Sequence, residues 1–234
     1  MSLVLVGTVH IDLKGERRLE KTLRFLKPDI INIEKSPDIE KEYRIFEKYQ
    51  SKTLKITNNF LSVLSPEVRR VTKPVLKKIN RIYGYEYKIP EKYAKKNNIQ
   101  INYIEKFATR IKFIKNILSS SMLFLENQIK EISSLSKEEY NKRMKILLKV
   151  YSNFQKEADS NYNQKKYKEI ITQLISERDI IMAKKTKEIV KNNPKKKIIN
   201  VNGIIHLFSY KGTMSSLLKN LKPRIFPLKK ADAL

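Results

Sequence analysis

Both histidines of this chain stand in the same frame, glycine, two apolar or small residues, then histidine, and each frame follows an apolar run. Gly7-Thr8-Val9-His10 comes after Leu3–Val6, and Gly203-Ile204-Ile205-His206 comes after Ile198-Ile199-Asn200-Val201. With only 2 histidines and 5 glycines in 234 residues, a matched pair is informative. Neutral imidazole is the commonest metal-binding side chain. A glycine at a strand end allows a tight turn and close approach of a second element or a ligand. The pair suggests one shared site, to which His10 and His206 each contribute a nitrogen. For either histidine alone, a hydrogen-bonded structural role is the competing explanation.

Carboxylates follow the other apolar runs. Glu34 follows Ile30–Ile33, and Glu105 follows Ile99–Ile104. In an open α/β sheet, ligands bind in the crevice beyond the carboxyl ends of the strands. If the four runs are neighbouring parallel strands, each ends in a metal ligand or a general acid or base. Two imidazoles with one or two carboxylates make a mixed N/O site for Mn²⁺, Co²⁺ or Zn²⁺, with room for an activated water. Plainer readings stand beside this. Glu34 could be a solvated strand-end residue paired with Lys35. Glu105 could open the next helix, where a carboxylate favours the dipole. Glu86 by default is a surface glutamate.

Ser176-Glu177-Arg178-Asp179 carries a further signal. On a helix, Leu174, Arg178 and Met182 share a face, as do Ile175 and Asp179. Charges beside an apolar stripe must be paired or face a polar cavity. Either an ion pair pins the helix to the sheet, or the arginine fork orients substrate or site carboxylates.

The elements that must position these residues are legible in outline. Leu3–Val6 reads as a strand. Residues 15–27 carry Leu19, Leu23 and Leu26 at helical spacing, and Pro28-Asp29 ends that helix. Ile30–Ile33 is the next strand, completing a βαβ unit that implies a parallel pair. A helix is expected over Glu91–Asn98, a third strand over Ile99–Ile104 and a fourth over Lys197–Val201. Tyr83-Gly84-Tyr85 reads as a turn, in a stretch (51–90) punctuated by Pro66 and Pro74. From about Lys106 to Lys191 there is neither proline nor glycine. Apolar stripes through Leu118–Ile129, Met144–Tyr151 and Ile171–Ile189 predict long helices there. The expected fold is therefore α/β, a central mostly parallel sheet with flanking helices. It is one domain over 1–234 with a helical insertion at about 106–192.

Composition bounds the rest. There is no cysteine, which excludes disulfides and thiolate metal sites. No apolar stretch approaches a bilayer span and no secretory leader is visible, so a soluble, cytoplasmic protein is expected. The formal net charge is +26. It is either a footprint for nucleic acid or anionic lipid, or a compositional excess of lysine spread over solvated faces.

These residues resemble the TraB/PrgY family, which stands with the Tiki proteins in a wider group that includes erythromycin esterases and ChaN-like proteins. The similarity rests on Gly7–His10, Pro28-Asp29, Glu34, Gly84-Tyr85-Glu86, Glu177-Arg178-Asp179 followed by Met182-Ala183, and Gly203–His206. It implies an α/β fold with a helical insertion. For Tiki-like members it implies a metal-dependent peptidase using Mn²⁺ or Co²⁺ in preference to Zn²⁺, with the two histidines and Glu34 at the metal. For PrgY-like members it implies interference with peptide pheromones. Glu86, Arg178 and Asp179 are then expected to shape the site, with Gly7, Gly203, Glu105, Lys106, Arg110 and Glu177 as further candidates. Glu105-Lys106 replaces the family's Asp-Arg, which keeps the charges but loses arginine's fork. Expected partners are a peptide substrate or ligand, an anionic partner met through the basic surface, and a second copy of the chain as a homodimer. A non-catalytic peptide binder on the same fold, and a basic nucleic-acid or membrane-surface binder, are the alternative functions.

Overall fold

The computed structural model describes residues 2–9, 12, 14–38, 84–109, 111–112 and 175–234, with isolated positions between them. His10, Arg110 and the helical stripes expected before Ile171 lie outside the described residues. The helical insertion is described at its end, where it forms a long helix on the sheet.

Five strands form one sheet in the order β3-β2-β4-β1-β5. They are β1 (Ser2–Thr8), β2 (Ile30–Ile33), β3 (Gln100–Tyr103), β4 (Lys197–Gly203) and β5 (Arg224–Pro227). Every pairing is parallel. The helices are α1 (Gly15–Leu26), α2 (Tyr85–Asn97), α3 (Ser176–Asn192) and a single turn, α4 (Met214–Leu217). The α/β architecture expected from the strand–helix alternation is present.

A parallel sheet needs both faces covered, and the strands show it. Val4, Val6, Ile31, Ile33, Ile199 and Val201 pack beneath α1 and α2, against Leu19, Leu23 and Tyr85. Leu3, Leu5, Ile30 and Ile198 face the other way, toward Met182, Ala183 and Val190 of α3. That second face is not wholly apolar. Asn102 donates to Asn32 (2.9 Å), Asn32 to Asn200 (2.7 Å) and Asn200 to Thr186 on α3 (2.9 Å). The register brings these residues level across three strands, Asn102 beside Asn32 and Asn32 beside Asn200. Each amide is satisfied by its neighbour, which removes the cost of burying it.

Three expectations are corrected. β1 and β2 are parallel but not paired, because β4 inserts between them. The chain returns after α3 to fill the gap, a long-range choice that no local pattern encodes. The second helix starts at Tyr85 rather than Glu91 and runs through Pro90. Proline ordinarily breaks a helix by removing a donor and crowding the preceding turn. Here Pro90 is buried and the flanking Tyr85 and Ala94 anchor the helix to the core. β5 was not foreseen, because Arg224-Ile225-Phe226-Pro227 is short and ends in proline. An edge strand tolerates that residue.

Gly15 begins α1 where the Tyr85 ring crosses it, so that a Cβ there would collide with the ring. Tyr85 is fully buried, and its hydroxyl donates to the Val9 carbonyl at 3.0 Å. Gly15→Ala is therefore expected to destabilise by roughly 1–3 kcal/mol through overpacking. Urea unfolding followed by circular dichroism measures it, and an unchanged midpoint would refute the close approach.

Candidate functional site

Because β4 lies between β1 and β2, the carboxyl ends of these strands bring their following residues to one edge of the sheet. β4 leads into a 3₁₀ turn, Ile204–Leu207, that carries His206. The turn folds back over β1, and Gly7 makes room for it: a Cβ on Gly7 would stand 2.8 Å from the Leu207 side chain. Gly203 is different. A Cβ there would meet only ordinary contacts, at 3.5 Å or more. What Gly203 contributes is its N–H, which donates to Glu34 Oε2 at 2.8 Å.

Around that turn stands a cluster of five charged side chains from four segments. His206 Nδ1 bonds Asp179 Oδ1 at 2.5 Å, and His206 Nε2 faces Glu34 Oε1 at 3.2 Å. Asp179 Oδ2 accepts from the Met214 N–H at 2.6 Å, at the start of α4. Arg178, the residue beside Asp179 on α3, grips Glu105 with Nε and with Nη2, the latter at 3.0 Å, and reaches Glu34 Oε1 with Nη2 at 2.5 Å. Arg178, Asp179, His206 and Glu105 are each 2 % exposed or less. The ion-pair geometry expected for Arg178 is present. It pins α3 to the sheet, and the carboxylates it holds belong to the cluster.

The electrostatics follow from burial. Burial works to lower the Arg178 pKa, but Glu34 and Glu105 more than offset it and hold the guanidinium above its usual range. Burial likewise works against a charged His206, yet Asp179 and Glu34 push its pKa up to about 10. Burial drives the Asp179 carboxyl up, against the opposing pull of His206. The imidazole, with its pKa raised, faces two carboxylates.

The other candidates are placed as follows. Glu177 is on the outer side of α3, paired with Lys112 at 2.9 Å, and well exposed. Lys106 is exposed just beyond Glu105. Glu86 is half-buried on the first turn of α2, which packs on the opposite face of the sheet from α3. His10 and Arg110 lie outside the described residues. Among the described residues, no three histidine or acidic side chains are arranged to hold a metal ion.

Sequence reasoning missed what holds the segment after β1. Asp12 N bonds the Val9 carbonyl at 2.8 Å. The Asp12 carboxylate takes two bonds from Arg18 Nη1, at 2.8 and 2.9 Å. Arg18 Nε also donates to Asp232 Oδ1 at 2.8 Å, near the chain's end. Those hydrogen bonds hold the Asp232 carboxyl below its ordinary range. An arginine on the fourth position of α1 with aspartates near both ends of the chain has no local signature. Lys35, which the sequence suggests as a partner for Glu34, also reaches the second helix. It is 4 % exposed, bonds Glu91 at 3.3 Å and lies 4.3 Å from the centre of the Tyr87 ring.

The model of the TraB/PrgY/gumN family matches residues 84–220. The chain belongs to the TraB/PrgY/gumN family. The matched span takes in Glu105, Glu177–Asp179 and Gly203–His206, while Gly7–His10 and Glu34 precede it. No curated protein and no solved structure matches the chain. No helix among the described residues is long and apolar enough to cross a membrane.

Two outcomes are expected from the cluster. Arg178→Met removes the cation that bridges Glu34 and Glu105, and should cost about 3–5 kcal/mol in denaturant unfolding. Arg178→Lys should restore only part, because a point charge cannot bridge both carboxylates. The second concerns pH. His206 binds its proton more tightly folded than unfolded, so its contribution is full below about 6.5 and is lost as pH rises. With chelator present, the stability difference between the wild type and His206→Gln should shrink from pH 6.5 toward about 10. A difference that stays constant over that window would contradict the charged ring.

Proposed function

We propose that the protein is a metal-dependent hydrolase acting on peptides, with His206, Glu34 and His10 as the ligands of a divalent ion. The observation that carries this is the setting of His206. Asp179 holds Nδ1, which leaves Nε2 directed at Glu34 Oε1, 3.2 Å away. Metal-binding histidines characteristically give their second nitrogen to a carboxylate in this manner. Two ligands of one ion, each about 2.1 Å from it, stand roughly 3.0–3.4 Å apart, so the described donors fit. Nitrogen and oxygen donors without sulfur suit Mn²⁺, Co²⁺ or Zn²⁺, and the family resemblance favours the first two.

A divalent ion bound there would supply Lewis acidity and a water acidic enough to attack near neutral pH. The chain's own groups have definite tasks. Asp179 fixes the ring and its tautomer, and its other oxygen is tied to the Met214 N–H. The Gly203 N–H fixes the Glu34 carboxylate from one side and Arg178 from the other. Arg178 also bridges Glu34 and Glu105. Loading must displace the proton from His206, so affinity should rise with pH.

A second reading has its own support. The five side chains already pair with one another, an arrangement that a non-catalytic peptide-binding protein on this fold can share. Metal content separates the two. After loading with Mn²⁺, Co²⁺ or Zn²⁺ and desalting, elemental analysis of the wild type should give close to one ion per chain. A folded His10→Ala/His206→Ala variant should retain none. Absence of metal in the wild type would refute the hydrolase and leave the binding protein.

A further inference from the structure

The cluster occupies the carboxyl edge of the sheet, and two surface depressions among the described residues lie elsewhere, on either side of α1. One, of about 690 Å³, runs between α1 and α2 toward the amino edge, where Pro28 and Ile99 precede β2 and β3. Its floor is Ile89, Tyr93 and Ile99, and its cations are Arg24, Lys27, Lys92 and Lys96. The other, of about 420 Å³, lies between α1 and the C-terminal segment and adds Arg17 and Lys21. The two channels share Glu20 and Arg24, so they flank one helix.

The carboxylates lining these channels are already engaged. Glu20 is bonded to Arg24 at 2.6 Å, and Asp232 to Arg18. The side chains of Lys21, Lys27, Lys92 and Lys96 form no ion pair or hydrogen bond among the described residues. A cation in the last turn of a helix offsets the helix dipole, which accounts for Arg24 and Lys96. It does not account for Lys21 and Lys92, which stand further upstream on their helices. Phe25 is on the outer side of α1, one turn from Lys21, and is 56 % exposed.

We propose that these channels bind single-stranded nucleic acid. Cationic grooves that track a phosphate backbone, with aromatic faces for the bases, are what such binding uses. Lys21, Lys27, Lys92 and Lys96 supply the charge, and Tyr93 and Phe25 supply the faces. A linear polyanion can follow both channels along α1 and meet the cations of each, so it fits their shape better than a flat anionic bilayer. The site is remote from His206 and independent of any metal there.

The test is fluorescence anisotropy with a labelled oligothymidylate over a salt series, on the full chain. A triple variant, Lys21→Glu/Lys92→Glu/Lys96→Glu, is compared with Lys211→Glu/Lys219→Glu/Lys222→Glu, which makes the same charge change elsewhere. Each phosphate contact contributes about −0.7 to the slope of log affinity against log salt, so the channel variant should flatten the slope by roughly 2. Its affinity should fall at least tenfold, and that of the control less than twofold. Phe25→Ala/Tyr93→Ala should weaken binding with the salt slope unchanged. Equal losses in both charge variants would overturn the proposal and assign binding to net charge alone. So would an absence of oligonucleotide binding, or sedimentation with phosphatidylserine vesicles in its place.

Discussion

Arg178 is the residue on which the arrangement of the crevice depends. A guanidinium buried to 2 % exposure cannot stand without counter-charges, and here it has two, Glu34 after β2 and Glu105 after β3. Isolated charges in an apolar interior are costly, and removing one partner of a buried set leaves the others uncompensated. The α3 helix is consequently held to the ends of two strands by electrostatic necessity as well as by Met182, Ala183 and Val190. With α3 held, Asp179 is set beside His206, and His206 is set toward Glu34. One arginine thus fixes the helix, both glutamates and, through its neighbour, the imidazole.

The sheet order has a chemical consequence. Insertion of β4 between β1 and β2 places the Gly203–His206 turn centrally, with the end of β1 on one side and Glu34 on the other. The same insertion sets Asn200 beside Asn32, and so the amide row from Asn102 to Thr186 crosses the apolar face beneath α3. A polar row of this kind is satisfied in only one register. A slip of any strand by one residue would turn an asparagine to the other face and strand its partner. The register that satisfies the amides is also the one that brings Glu34 level with the Gly203 N–H.

The two edges of the sheet differ in kind. The carboxyl edge concentrates acid, histidine and arginine in a buried, nearly balanced cluster. The α1 flank and amino edge carry lysine in open channels. A formal charge of +26 over the chain would suggest diffuse lysine on all sides. Among the described residues, the side chains of Lys21, Lys27, Lys92 and Lys96 on this flank form no ion pair, while Glu20 and Asp232 are bound to arginines.

The sequence alone determined the local elements and the cast of charged residues. Period-2 and period-3.6 apolar patterns reveal β1, α1, β2, β3 and β4 because each buries a face whose spacing is set by backbone geometry. Glu34, Glu105, Arg178, Asp179 and His206 were legible as candidates because polar residues at strand ends or within an apolar stripe conflict with their surroundings unless paired. Only the tertiary structure decided which of them meet. That Glu105 lies on Arg178, that Asp179 rather than Glu177 holds the imidazole, and that Gly203 acts through its N–H all follow from the return of β4 to the middle of the sheet. The roles of Tyr85, Arg18 and Asp232 were hidden for the same reason. Their partners are separated from them by 76, 214 and 214 residues, and a contact across that distance leaves no periodic trace in the chain.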